Sequence, residues 1–417
     1  ALEPPVHKAT PGDAARPRTG AVVKPTIAVL PFANMSRDQE QEFFVDGLTE
    51  DIITELSRRH ELFVISRNST FVYKGQSVNL PEIARKLGAQ YIVEGSVRKS
   101  GDHLRITVQL IDTANDSHIW AEKYDRKLDD IFKVQDEMTT AIVATLPGRL
   151  EAAQQTQLAR KTPANLAAYE CVLAAKVLHH RSTREDITEA RRLIDRAIEL
   201  DPEYAHAYAW RGCILGQTWV YGWCEDRDAT FAEVTANVDK AFSLDQNDAD
   251  VLRLLGATSI AKGDLAKARA YMERALELNP NLAAAWTNSG WINLWLGQPG
   301  PALEHLARAR RLDPTSQTVR LSATAHALFF LDRYSEALAQ AEEQLRENPQ
   351  AHPALRIGAA SAAFAGRSDT ACHLAGRLQA VDPAFRVSRL RDVLGPYQLN
   401  TFVEKYAEGL RRAGLPE

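Results

Sequence analysis

The sequence predicts a two-part protein, an α/β domain with a mixed sheet followed by an all-α superhelix of stacked helix pairs. Two observations carry this. Up to about residue 150, short apolar runs alternate with amphipathic segments and end in three strands separated by turn residues. Beyond residue 200, Asx-Pro pairs recur at a nearly fixed spacing, which marks an internal repeat. The composition agrees, since 45% hydrophobic and 25% charged residues in 417 describe an ordinary globular chain of about two to three domains.

Residues 1–23 hold Pro4, Pro5, Pro11 and Pro17 among Arg, Ala and Gly, and cannot bury enough apolar surface to fold alone. They read as a semi-extended linker without the apolar stretch of a signal peptide. A linker implies that something precedes it, so the chain is expected to be the later part of a longer protein. Residues 24–160 form the first domain. Residues 26–32 are a short apolar run closed by Pro31, the pattern of a buried strand. In the helix that follows, Phe44, Leu48, Ile52 and Leu56 share one stripe. Residues 62–66 read as a second strand, and 80–87 as a helix with Pro81 in its first turn and Gly88 at its stop. Strands over 91–97, 104–112 and 117–124 close the domain. In the middle one, Leu104, Ile106, Val108 and Leu110 alternate with Arg105, Thr107 and Gln109, as expected of a strand with one wet face. Turns at residues 100–102 and 114–116 make the three an antiparallel meander. A helix over 128–146 packs back on the sheet before Pro147-Gly148.

The repeat region is assigned to residues 161–385. The pairs Asp201-Pro202, Asn279-Pro280, Asp313-Pro314, Asn348-Pro349 and Asp382-Pro383, with the variant Asp245-Gln246, put the second members at intervals of 44, 34, 34, 35 and 34. Small residues recur where two helices must approach: Gly256, Ala268 and Ala275 in one unit, Gly290, Ala302 and Ala309 in the next. Five full or near repeats follow from about residue 205, behind a degenerate helix pair over 165–200. The interval of 44 contains a ten-residue insertion carrying Trp219, Tyr221 and Trp223. Such aromatics are expected to pack on a neighbouring repeat or the first domain, or to contact a ligand. Residues 386–417 are expected to form a last amphipathic pair, over 385–394 and 398–413, that caps the final apolar face.

Two resemblances follow from these residues. The 34-residue helix-turn-helix period with its small residues and closing prolines resembles the tetratricopeptide repeat. The series I27-A-V-L-P-F, G47-L-T-E-D-I-I-T-E-L-S, V64-I-S-R-N-S, G88-A-Q-Y-I-V-E-G-S-V and I106-T-V-Q-L-I-D resembles the TolB amino-terminal-like domain that precedes such repeats in many alphaproteobacterial proteins. There it follows a class III adenylate/guanylate cyclase catalytic domain, or a winged-helix DNA-binding domain and sometimes a membrane span. The repeat family's groove-lining positions carry over to His206, Arg253, Thr287, Trp291, His326 and Arg356. Ala209, Cys213 and Ala257 stand where the subfamily that clamps C-terminal carboxylates would have polar residues, which argues against a chaperone-tail ligand.

Chemistry is sparse. No phosphate loop, nucleophile elbow or zinc-protease motif occurs, so no catalytic, cofactor or metal site is assigned. His179 and His180 are adjacent and diverge on a helix, which excludes a shared metal; Asp129-Asp130 and Glu342-Glu343 read as solvated faces. Cys171, Cys213, Cys224 and Cys372 are too few for a disulfide framework and read as free thiols, with Cys213–Cys224 the one pairing to consider. Fifty basic residues face 54 acidic ones, each part carries about −2, and no basic footprint for nucleic acid is present. No apolar run reaches the length of a membrane span. The sequence thus reads as a non-catalytic regulatory module that binds a protein or peptide in the concave groove, or self-associates. The resemblance makes it the C-terminal region of a cytoplasmic nucleotide cyclase; the alternative is the periplasmic half of a membrane-anchored winged-helix regulator.

Overall fold

The computed structural model describes residues 24–36, 38, 41–76, 79–146, 165–315 and 318–417. The expected linker and the domain boundary near residue 160 lie outside them. The first domain is built on a mixed sheet. Strand β1 (Thr26–Val29) lies parallel to β3 (Phe63–Val64) on one side and to β4 (Tyr91–Ser100) on the other, and the short β2 (Ala33–Asn34) continues along β4. β4, β5 (His103–Asp112) and β6 (Ser117–Lys127) form the expected meander, giving the order β3-β1-β4-β5-β6.

Helices α1 (Glu42–Ser57) and α4 (Ile131–Thr145) cover one face, where Leu48, Ile52, Val134, Met138 and Ile142 meet Val93, Ile106 and Val108. Helix α3 (Leu80–Leu87) covers part of the other and ends at Gly88 with φ +66°, as its sequence implies. Two details differ from expectation. The run at 26–32 is paired in β1 only to Val29, and that at 62–66 only over two residues, because Ser66 leaves the sheet to cap a short helix, α2 (Arg67–Phe71).

Six helix pairs follow among the described residues: α5 (Leu166–Arg181) with α6 (Arg184–Leu200), α7 (Ala205–Val220) with α8 (Arg227–Leu244), α9 (Ala249–Ala261) with α10 (Leu265–Leu278), α11 (Ala283–Trp295) with α12 (Pro299–Leu312), α13 (Thr318–Phe330) with α14 (Tyr334–Glu347), and α15 (His352–Phe364) with α16 (Ser368–Val381). The insertion lengthens α7 and α8 to 16 and 18 residues, against 13 and 14 in the next pair. The expected final pair is only half realised. Residues 387–393 form a 3-10 turn and a single helical turn, α17 (Leu390–Val393), before Gly395-Pro396 breaks the path; α18 (Asn400–Arg412) is a full helix and packs on α15.

The two parts share their cores. On one sheet face Tyr169 and Leu173 of α5 join the cluster under α1; on the other, Ala283, Trp286 and Leu312 of the repeats join Ala28, Phe63 and Ile65. The outer edge of β3 is closed by polar groups of the repeats. Asn281 accepts from the Val64 N–H (3.3 Å) and donates to the Ser57 and Leu62 carbonyls (2.8 and 3.2 Å), the Ser66 N–H donates to the Leu312 carbonyl (2.7 Å), and the Ser69 hydroxyl donates to Asp313 (2.6 Å).

Gly47 makes the approach of α1 to α5 possible, because a Cβ there would lie 2.6 Å from the Leu173 Cβ. Gly47→Val should therefore destabilise the protein by about 1–3 kcal/mol, as overpacking of a tight contact does. Urea denaturation checks it; an unchanged midpoint would mean that the helices do not meet there.

Candidate functional site

Between the α/β domain and the first helices of the earlier pairs lies a cleft of about 500 Å³ with many polar and charged residues in its lining. The α/β domain contributes Glu50 and Thr54 from α1 and Arg67 from the start of α2. The repeats contribute His179 and His180 from the last turn of α5, Trp210 and Cys213 from α7, Asp250 and Arg253 from α9, and Thr287 from α11. Packing of successive pairs puts these side chains together. His179, in the last turn of α5, and Cys213, in the middle of α7, stand at different positions of their helices and meet across the stack, Sγ to Nε2 3.6 Å.

One wall is a buried charge cluster. Lys176, 3% exposed, lies 2.9 Å from Asp51 and 3.1 Å from Glu50. The second Glu50 oxygen is 3.0 Å from Arg67 Nε and 3.4 Å from His180 Nε2, while the Tyr169 hydroxyl donates to Asp51 (2.6 Å) and accepts from Gln135 (3.0 Å). Burial opposes the ionisation of Glu50, but Lys176, His180 and Arg67 overcome it and hold the carboxyl well below its ordinary range. Burial pushes the His180 imidazole down, and Glu50 offsets this only in part.

The groove residues expected from the sequence separate into three settings. Arg253 and Thr287 line the cleft; Arg253 Nε lies 3.4 Å from Asp250, and the Thr287 hydroxyl donates to the Ala283 carbonyl of its own helix (3.1 Å). His206 is buried behind the cleft, where it accepts from the Trp210 indole N–H at 2.8 Å and faces Asp248 at 3.5 Å. Trp291, His326 and Arg356 lie under the C-terminal segment. Trp291 is half-buried and stacked on Trp295; the buried His326 is 2.8 Å from the Tyr397 hydroxyl; the buried Arg356 guanidinium lies 5.8 Å from the Phe385 ring. A partner reaches the buried His326 and Arg356 only by displacing residues of the chain itself, whereas Trp291 is half-buried. Their helical face follows from the repeat register, but the register says nothing of what covers it.

The insertion aromatics pack on their own hairpin and on the preceding helix pair. Trp219 rests on Phe231 with Arg227 over its ring, and Trp223 joins the cluster of α5, α6 and α7. Tyr221 meets Trp223 edge-on and stays 49% exposed. Among the described residues no group of three or more His, Cys, Asp and Glu side chains could hold a metal ion, and no helix is long and apolar enough to cross a membrane. Sequence reading passed over Glu50, Cys213 and the His179–His180 pair as cleft residues; His179 and Cys213 occupy different positions of their helices, so the repeat register gave no signal for their meeting.

Two predictions follow from the burial of these charges. Lys176→Met leaves Glu50 and Asp51 short of their shared cation, and should cost about 3 kcal/mol by urea denaturation. At His326, burial, with Arg356 beside it, pushes the imidazole down to about 3. The folded protein therefore keeps His326 neutral while the unfolded chain takes up a proton below the ordinary value of 6.5, so its contribution to stability is lost as pH falls from 6.5 towards 3. The melting-temperature gap between the wild type and His326→Gln should narrow between pH 7 and pH 4.5. A constant gap would refute the assignment.

Comparison with known proteins bears on both parts. Residues 23–141 match the family model of the HilA/YgeH-like transcriptional regulator, second domain, and residues 249–282 match that of the tetratricopeptide repeat. Neither is the model of a catalytic domain. A Rhizobium meliloti (strain 1021) protein called "Putative adenylate cyclase 3" is 40% identical over 232 residues, covering 53% of this chain and 40% of its own length. The chain thus spans well under half of that relative. Among solved structures, PilW, described as a widely conserved type IV pilus biogenesis factor, is 19% identical, with 53% of this chain and 96% of PilW covered at a TM-score of 0.43. Pseudomonas aeruginosa pilF is likewise 19% identical, with 52% and 95% covered and a TM-score of 0.42. The chain is an α/β domain with a mixed sheet followed by a superhelix of tetratricopeptide repeats.

Proposed function

We propose that this chain is the regulatory and partner-binding region of a class III adenylate/guanylate cyclase whose catalytic domain lies outside these residues. In this reading residues 24–160 are a TolB amino-terminal-like domain, 161–385 the repeats and 386–417 their cap, and the module works in the cytoplasm. The observation that carries the reading is the cleft. It is the part of the repeats' concave face left open between the α/β domain and the C-terminal segment, and residues of both parts line it. An extended protein segment entering it would touch Arg253 and Thr287 on the repeats and Arg67 on the α/β domain together, so binding would bear on how the two parts sit. The relationship to the Rhizobium protein supports the cyclase parent, and the match to a regulator's second domain is what a sensing module joined to different output domains would give.

The test uses the chain and its full-length parent. Alone, the purified chain should form no cyclic nucleotide from ATP or GTP. In the parent, Arg253→Ala should weaken partner capture by about 2 kcal/mol, leave the melting temperature nearly unchanged, and alter cyclase output in the same samples. Cyclase activity that tracks the isolated chain through purification would overturn the reading. So would an Arg253→Ala parent with unaltered capture and output.

A further inference from the structure

The cleft holds one nucleophilic side chain to which partner binding gives no task. Cys213 projects from the middle of α7 into the cleft, partly exposed, with its Sγ 3.6 Å from His179 Nε2 and with Arg253 lining the same wall. The other imidazole nitrogen, His179 Nδ1, is buried and has no hydrogen-bond partner among the described residues. The thiol is thus the polar group that His179 meets. A partly accessible thiol beside a histidine and an arginine is the setting of reactive cysteines, and Asp250, paired with Arg253 at 3.4 Å, opposes it only in part. Burial alone would push the Cys213 thiol up, but His179, followed by Arg253, reverses it and holds the thiol below its ordinary range. Cys171 is the contrast, since burial there pushes the thiol up. Cys372 is simply exposed.

We propose that Cys213 is an activated thiol that undergoes thiol–disulfide exchange with a low-molecular-weight disulfide admitted to the cleft. His179 Nε2 takes the Sγ proton, and the Cys213 thiolate attacks one sulfur of the disulfide. A new S–S bond forms at Cys213 as the old one breaks. The departing thiolate takes the proton back from the imidazolium, so electrons and protons balance without a further oxidant. The cleft volume of about 500 Å³ falls among those of small-molecule sites, roughly 300–1,000 Å³. Arg67 and Arg253 stand at its two sides, so an added group at Cys213 would occupy the space between the α/β domain and the repeats. The inference stands on the cleft geometry and not on the proposed parent enzyme.

The probe is oxidised glutathione, applied to the full chain at pH 7 and quenched with N-ethylmaleimide before peptide mass spectrometry. The mixed disulfide at Cys213 should form at least about tenfold faster than at the exposed Cys372, the factor expected of a thiol with a larger thiolate fraction. Alkylation by iodoacetamide across pH 5–9 gives the second readout, with a Cys213 midpoint below that of Cys372. His179→Gln should raise that midpoint and slow glutathionylation towards the Cys372 rate. If that variant melts early, Arg253→Gln should shift the midpoint in the same direction. A Cys213 that reacts no faster than Cys372 with either reagent, or a midpoint that neither variant moves, overturns the proposal.

Discussion

The closure of the β3 edge by the repeats is the constraint on which the rest of the structure depends. β3 pairs over only two residues, far fewer than the five or six of a typical strand, and it sits at the end of the sheet. An edge so short does not hold its register by sheet hydrogen bonds alone. Asn281, Leu312 and Asp313 complete it from outside, and Ala283, Trp286 and Leu312 complete the apolar layer beneath. Because Tyr169 and Leu173 do the same on the opposite face, the α/β domain shares its core with the repeats at both ends of its footprint. The cleft is the space this two-point docking leaves between its supports.

Charge lines one wall of that space. Glu50, Asp51, Lys176, Arg67 and His180 form a cluster in which each ion has an opposite neighbour, yet several atoms lack aligned hydrogen bonds, among them Glu50 Oε2 and Arg67 Nε. An arrangement like this adds little net stability over an apolar contact of the same size, since desolvation consumes most of the Coulomb attraction. It does penalise misplacement, because sliding α1 along α5 would strand buried charges. The other rim of the concave face is covered by apolar means. Tyr397, Phe402 and Tyr406 of the C-terminal segment pack on His326, Phe329 and Phe330, and Gly395 lies against Trp295. The last repeats are thereby shielded from solvent as a solenoid end requires.

Local order was legible in the sequence; long-range docking was not. The period of 34 gave the helix pairs because each closing Asx-Pro acts within its own turn, and alternation gave the meander because Leu104 to Leu110 report their faces without reference to distant residues. Asn281, by contrast, reads only as the residue after Asn279-Pro280, and nothing near it reveals that its amide serves Ser57, Leu62 and Val64 more than 200 residues away. The same limit applies to His326 and Arg356. Their register places them on the first-helix face, where repeats bind ligands, but the cover comes from residues 385–406, whose path is set by Gly395-Pro396 and not by helical periodicity. His179 and Cys213 belong to the same class, since one lies in the last turn of α5 and the other in the middle of α7, and superposing the repeats does not pair them.

With the α/β domain on one rim and the C-terminal segment on the other, the concave face is no longer the open trough that an isolated repeat array presents. What remains is a cleft whose walls belong to different parts of the chain: Glu50 and Arg67 on one side, Cys213, Arg253 and Thr287 on the other. Any ligand there interacts with the interface between the two parts as well as with the repeats. Its binding free energy and the docking free energy are then linked, because a ligand that prefers one separation of the walls shifts the population towards it. A chemical change at Cys213 would act through the same linkage, as the residue lines the cleft together with Glu50 and Arg67. In the proposed reading the repeats would serve less as a passive peptide trough than as one jaw of a two-part clamp, with the α/β domain as the other.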